Sequence, residues 1–114
     1  MKVLDDLQLP PRLLAALQAA RDRIVAEFDV DRMVLFGSIV EGTSDEESDV
    51  DLLVVLTQCP SLQKRDRLTG MILDINLEYD VNLSELIVDR HTWDKGLPSI
   101  LPIHEKIEEE GIPL

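Results

Sequence analysis

Cysteine occurs once, at Cys59, so no internal disulfide framework can brace the chain, and a reducing cytoplasm is the expected setting. Aromatic side chains number four, one Trp, one Tyr and two Phe, too few for a base-stacking platform, so Trp93 is expected as a core or helix-docking anchor. Two histidines, His91 and His104, beside a single cysteine provide no zinc-ligand spacing. No apolar run approaches the roughly 18 residues of a membrane span. The segment Met1-Lys2-Val3-Leu4-Asp5-Asp6 puts acids where a secretory signal needs bases. Basic residues are also few, 11 Lys and Arg against 23 Asp and Glu, leaving a net charge of −12. That deficit argues against direct nucleic-acid binding, which needs surplus cations for phosphates. It suits metal ions or a basic protein partner.

What is present describes one α/β domain over residues 1–114, with 45% hydrophobic and 30% charged residues. Leu13, Leu17, Ala20, Ile24 and Phe28 form one apolar stripe and predict a helix over 11–28, with Pro10-Pro11 at its start. Residues 32–36 and 50–56 read as buried strands. Ser61 caps a predicted helix running to about residue 77, with Leu68, Ile72 and Ile75 inward. Residues 79–84 alternate strictly and predict a third strand continuing through Leu86-Ile87-Val88. Asp89 caps a short helical turn through Trp93. A last helix carries Ile100, Ile103 and Ile107 and stops at Gly111. The order α-β-β-α-β-α predicts a small mixed sheet of about three strands packed with helices.

One segment carries chemistry: Phe36-Gly37-Ser38, ten residues, then Asp49-Val50-Asp51-Leu52. Glycine at a strand end permits a sharp turn and close approach of a ligand. Ser38 follows at the start of a short helix, where N–H groups and a hydroxyl can hold phosphate. Asp49 and Asp51, two apart on a strand, project from one face and repel each other. A divalent cation between them relieves that repulsion, and Mg²⁺ favours one or two carboxylates completed by substrate phosphates. The residues therefore imply a metal–nucleotide site.

This Gly37-Ser38-x10-Asp49-x-Asp51 pattern resembles the signature of the polymerase-β nucleotidyltransferase superfamily. The short chain is similar to its minimal nucleotidyltransferase branch, whose members include antitoxins paired with HEPN proteins. The likeness takes in the N-terminal helix, Leu35-Phe36-Gly37-Ser38, the Asp49–Leu52 strand and the closing Glu110-Gly111-Ile112-Pro113-Leu114. It implies a polymerase-β-type core in which Gly37 and Ser38 hold the β- and γ-phosphates of a nucleoside triphosphate. Asp49 and Asp51 would bind two Mg²⁺, and a third carboxylate on the next strand would activate the attacking hydroxyl. Asp80 is the expected third carboxylate and metal ligand, as the Asp of the alternating strand that shares a face with Asn82 and Ser84. If Asn82 holds that position instead, the base is lost; Glu78, at the helix-to-strand junction, is a weaker substitute.

The resemblance further implies transfer of AMP from ATP to a tyrosine of a HEPN ribonuclease toxin, in a hetero-oligomer with that toxin. Two departures stand out: related sequences carry a basic residue after Gly-Ser and another before the second glycine, here Ile39 and Glu41, while Gly42 matches. Losing those charges weakens stabilisation of the transferred group. The alternative is therefore a catalytically weak or inactive acidic module that neutralises a basic toxin by covering it. Asp45, Glu46 and Glu47 read as a solvated loop, and Glu108-Glu109-Glu110 as a solvated helix face. Cys59 has no adjacent base and is not expected to act as a nucleophile.

Overall fold

The computed structural model describes residues 4–42 and 49–114, so the acidic loop expected at Asp45–Glu47 lies outside the described residues. A 3-10 turn at Leu4–Leu7 precedes helix α1 (Pro11–Glu27), strand β1 (Val30–Phe36), the single turn α2 (Ser38–Glu41) and strand β2 (Val50–Leu56). Helix α3 (Leu62–Tyr79), strand β3 (Leu83–Asp89) and helix α4 (Arg90–Lys95) follow. A second 3-10 turn (Leu97–Ile100), helix α5 (Pro102–Glu110) and strand β4 (Ile112–Pro113) end the chain. The sheet has order β3-β2-β1-β4, with β2/β3 parallel and the other pairs antiparallel. The mixed α/β architecture expected from the sequence is present, but with four strands instead of about three. The extra strand is the tail, which Gly111 releases from α5 so that Leu35 pairs with Ile112 and Val34 with Pro113.

The sheet is covered on both faces, which explains why β2 reads as a continuous apolar run. Val50, Leu52, Val54 and Leu56 face α1 and α3, where Leu17, Ala20, Ile24, Leu68, Ile72 and Ile75 are buried. Leu53 and Val55 face the opposite side and pack with Trp93 of α4 and Ile107 of α5. The indole, expected as an anchor, is buried and donates Nε1–H to Glu108 Oε1 at 2.6 Å. Glu108 also accepts from Arg32 at 3.1 Å, so although it is exposed with Glu109 and Glu110, as expected, it also ties α5 to the sheet. Of the expected stripe on the last helix, only Ile107 is buried. Ile100 lies on the 3-10 turn and Ile103 near the start of α5, both exposed.

The expected third strand begins three to four residues later than its alternation suggested. Helix α3 continues through Tyr79, and Asp80 ends it in the left-handed conformation (φ 53°, ψ 54°), donating its N–H to Asn76 O. Short polar residues such as Asp tolerate that conformation well. The Asn76 side chain then donates to Leu83 O at 3.0 Å and accepts from Leu83 N–H at 2.8 Å, which fixes where β3 starts.

At the other end of β3 the Asp89 carboxylate caps α4, accepting from Thr92 Oγ1 at 2.7 Å and Thr92 N–H at 3.0 Å. Those two bonds hold its pKa below the usual carboxylate range. A depressed folded-state pKa stabilises above the unfolded value, and that stability is lost as pH falls through the folded one. Asp89→Ala should cost about 1 kcal/mol at pH 7, as loss of an N-cap does. Urea denaturation should show the difference from wild type shrinking below about pH 4.

Candidate active site

The turn from β1 into α2 sets the geometry. Phe36 pairs with Asp51 across the antiparallel β1/β2 ladder, so the residue after Phe36 passes directly over that carboxylate. It is Gly37, with φ 86° and ψ −156°, a conformation open essentially only to glycine. A Cβ there would lie 2.2 Å from Asp51 Oδ2. Two independent constraints therefore exclude a side chain at position 37. Ser38 then opens α2, its carbonyl accepting from the Gly42 N–H, while the Gly37 carbonyl accepts from Val40 and Glu41.

Asp49 immediately precedes β2 and Asp51 lies within it, on the side that faces α4 and α5. Asp49 is exposed and Asp51 half-buried. Burial first, and then the negative charge of Asp49, push the Asp51 pKa up. The expected pairing of two carboxylates on one face is thus present and electrostatically costly.

Asp80 is not brought to them. Its side chain, 93% exposed, stands 3.6 Å from the Arg12 guanidinium of α1. The alternation that placed it beside Asn82 does not apply, because 79–82 form a helix end and a connection, not a strand. Glu78 is held by Arg23 at 2.7 Å. Asn82 is the residue that reaches the pair: its Nδ2 donates to Asp49 Oδ1 at 2.5 Å, and its carbonyl accepts from Val50 N–H. Beside Asp49, then, the structure puts an amide and not the expected Asp80 carboxylate.

An open cleft of about 180 Å³ adjoins this turn. Gly37, Val40, Glu41 and Asp51 form one wall, and Ile103, Lys106, Ile107 and Glu110 of α5 form the other. The α5 contribution had no signal in the sequence, since it comes from more than 50 residues downstream and depends on how α5 docks. Docking is set by the Trp93–Glu108 bond, the Arg32 bonds to Glu108 and Asp94, and the close approach of Gly111 to Val34. The two departures from the expected pattern have structural roles here. Ile39 packs against the main core, and Glu41 makes an ion pair with Lys106.

Asp94, His104 and Glu108 also cluster, with ligand atoms within 4.8 Å of one another. Arg32 already bonds both carboxylates, and His104 stacks on Trp93 with ring centroids 4.4 Å apart, so this group serves packing.

Residues 20–93 match the family described as Polymerase beta, Nucleotidyltransferase. The chain belongs to that nucleotidyltransferase family. It is similar to two proteins of Methanocaldococcus jannaschii, named "Putative protein adenylyltransferase MJ0141" (38% identical over 51% of this chain and 59% of that protein) and "Putative protein adenylyltransferase MJ1305" (35% identical over 66% and 51%). The matched part of this chain thus spans only half to three fifths of those relatives. Among solved structures, one titled "Structure of putative minimal nucleotidyltransferase" superposes with a TM-score of 0.62 at 25% identity, covering 90% of this chain and 92% of that one. A nucleotidyltransferase-titled structure from Sulfolobus solfataricus shares the fold, with a TM-score of 0.50 at 14% identity over 93% of this chain and 87% of that one.

The raised Asp51 pKa has a consequence for stability. A carboxylate whose folded pKa lies above its unfolded value costs stability once ionised, and the cost disappears as pH falls below the unfolded value. Asp51→Asn should therefore raise Tm at pH 7 without added metal, and the gain should vanish near pH 3, as read by calorimetry. Gly37→Ala should lower stability by about 1–3 kcal/mol in denaturant titration, from strained backbone and contact with Asp51.

Proposed function

We propose that this chain takes ATP with Mg²⁺ into the cleft beside Gly37 and transfers AMP, slowly, to a hydroxyl of a partner protein. The observation that carries the reading is the Gly37 turn, which lies against Asp51 with no room for a side chain and with Asp49 two residues away. Gly37 and Ser38 would take the β- and γ-phosphates. Asp49 and Asp51 would hold the ion, a donor set that suits Mg²⁺ because it leaves positions for phosphate oxygens and water. Bound there, the metal neutralises charge that builds on the phosphates during displacement.

In the transfer, the acceptor oxygen bonds the α-phosphorus, the bond to the β-phosphate oxygen breaks, pyrophosphate leaves and the hydroxyl proton must depart. A third carboxylate would accept that proton and help hold a second ion; Asn82, an amide, cannot take the proton and offers an ion only a neutral carbonyl oxygen. In keeping with the resemblance, the acceptor we favour is a tyrosine of a HEPN ribonuclease toxin in the cytoplasm, with this chain as its antitoxin and hetero-oligomeric partner. The names of the two M. jannaschii relatives support protein adenylylation as the reaction type. Net charge −12 supports a basic partner over nucleic acid.

The Asn82–Asp49 contact also favours a second reading, in which nucleotide chemistry has lapsed and the acidic chain neutralises the toxin by covering it. Titration with ATP, with and without Mg²⁺, and transfer of label from α-phosphate-labelled ATP to a HEPN protein encoded alongside separate the two. The expected result is Mg²⁺-dependent ATP binding that Asp51→Asn abolishes, slow transfer by wild type, and a gain in transfer on the order of 100-fold for Asn82→Asp. Binding without transfer, even by Asn82→Asp, with neutralisation intact, would establish occlusion. No Mg²⁺-dependent ATP binding by wild type overturns the nucleotide reading.

A further inference from the structure

The cleft is acidic where a polyphosphate would have to lie. Glu41 at the end of α2, Asp51 on β2 and Glu110 at the end of α5 all line it. Among the described residues, Lys106 is the one cation in that lining. Its stem rises from α5, between Ile103 and Glu110, and its ammonium is engaged by the Glu41 carboxylate. That contact pushes the Lys106 pKa up, so the ammonium is charged throughout the physiological range.

The ion pair is open to solvent, with the Lys106 side chain 56% and the Glu41 side chain 33% exposed. Exposed pairs contribute little to stability, so Glu41 is an easily displaced partner. A terminal phosphate oxygen offers the same ammonium a charge-assisted bond from a more highly charged group. The base of the Lys106 stem is held in place because Glu108, two residues on, is tied to Trp93 and Arg32.

We propose that Lys106 is the phosphate-binding cation of the cleft, receiving the β- or γ-phosphate of a nucleoside triphosphate, and that Glu41 is its competitor, occupying the ammonium until the phosphate arrives. The inference rests on the nucleotide reading of the cleft given above. It makes α5 part of the nucleotide site and lets one cation, reached from the far end of the chain, serve where positions 39 and 41 offer none. It also assigns Glu41 an inhibitory role, because its carboxylate holds the ammonium and repels the incoming polyanion.

Calorimetric titration of wild type, Lys106→Gln, Glu41→Gln and the double variant with Mg·ATP and with AMP tests this. Lys106→Gln should weaken Mg·ATP binding about tenfold, the effect of one lost bond to a charged group, and leave AMP binding within about twofold. Glu41→Gln should act in the opposite direction, tightening Mg·ATP several-fold, and its gain should shrink in the Lys106→Gln background. A pair that merely braces α5 against α2 would make both single variants shift binding in the same direction and equally for both nucleotides. That result overturns the proposal, as does Mg·ATP binding that neither variant alters. If wild type binds no Mg·ATP at all, the underlying nucleotide reading falls with it.

Discussion

The Asp51 carboxylate lies where a side chain on residue 37 would otherwise have to be, and most of the site follows from that exclusion. A Cβ at 2.2 Å from Oδ2, combined with a backbone conformation that only glycine occupies readily, makes the β1–α2 turn a bare surface beside an acid. The ladder pairing of Phe36 with Asp51 puts the two together, and the buried apolar run of β2 fixes that register. The same placement half-buries Asp51 next to Asp49, an arrangement that costs stability until a cation compensates it. The fold therefore maintains a locally unfavourable pair of charges, as functional sites commonly do.

The other side of the site is assembled by α5, a helix with little claim of its own on the core. Only Ile107 is buried along it, yet the bond from Trp93 to Glu108, the Arg32 contacts and the return of the tail as β4 hold it against the sheet. These contacts set α5 on the sheet face as one wall of the cleft and carry Lys106 to Glu41. Opposite charges arriving from α2 and α5 thus meet close to Asp51, whose like-charged neighbour Asp49 immediately precedes β2.

The fate of the third acidic position shows how a strand reading can fail by a few residues. Residues 79–84 alternate apolar and polar, but the stretch up to Tyr79 also continues a helix whose inner face holds Leu68, Ile72 and Ile75. Helix hydrogen bonds and core contacts won, Asp80 became the left-handed residue that ends the helix, and its carboxylate turned to Arg12. Asn82, two residues on, took the place beside Asp49 because Asn76 pins the start of β3 at Leu83. The sequence held both candidates, and only the end point of α3 chose between them.

Local information was enough for the Gly37-Ser38 turn, the Asp49/Asp51 pair, the α1 and α3 stripes and the caps at Ser61 and Asp89, because each depends on neighbours within a few residues or on strict periodicity. It was not enough for β4, for the bonds of Glu108 to Trp93 and Arg32 or for the meeting of Glu41 and Lys106. Those depend on segments brought together from 65 or more residues apart in two cases, by burial of an indole and by backbone pairing of a tail. Periodicity tells a helix which face to bury; it does not tell the opposite face what it will meet. The sequence by itself determined the glycine turn and the paired acids at the start of β2, whereas the tertiary structure alone decided which residue stands third beside them and which cation faces them, since both depend on long-range packing.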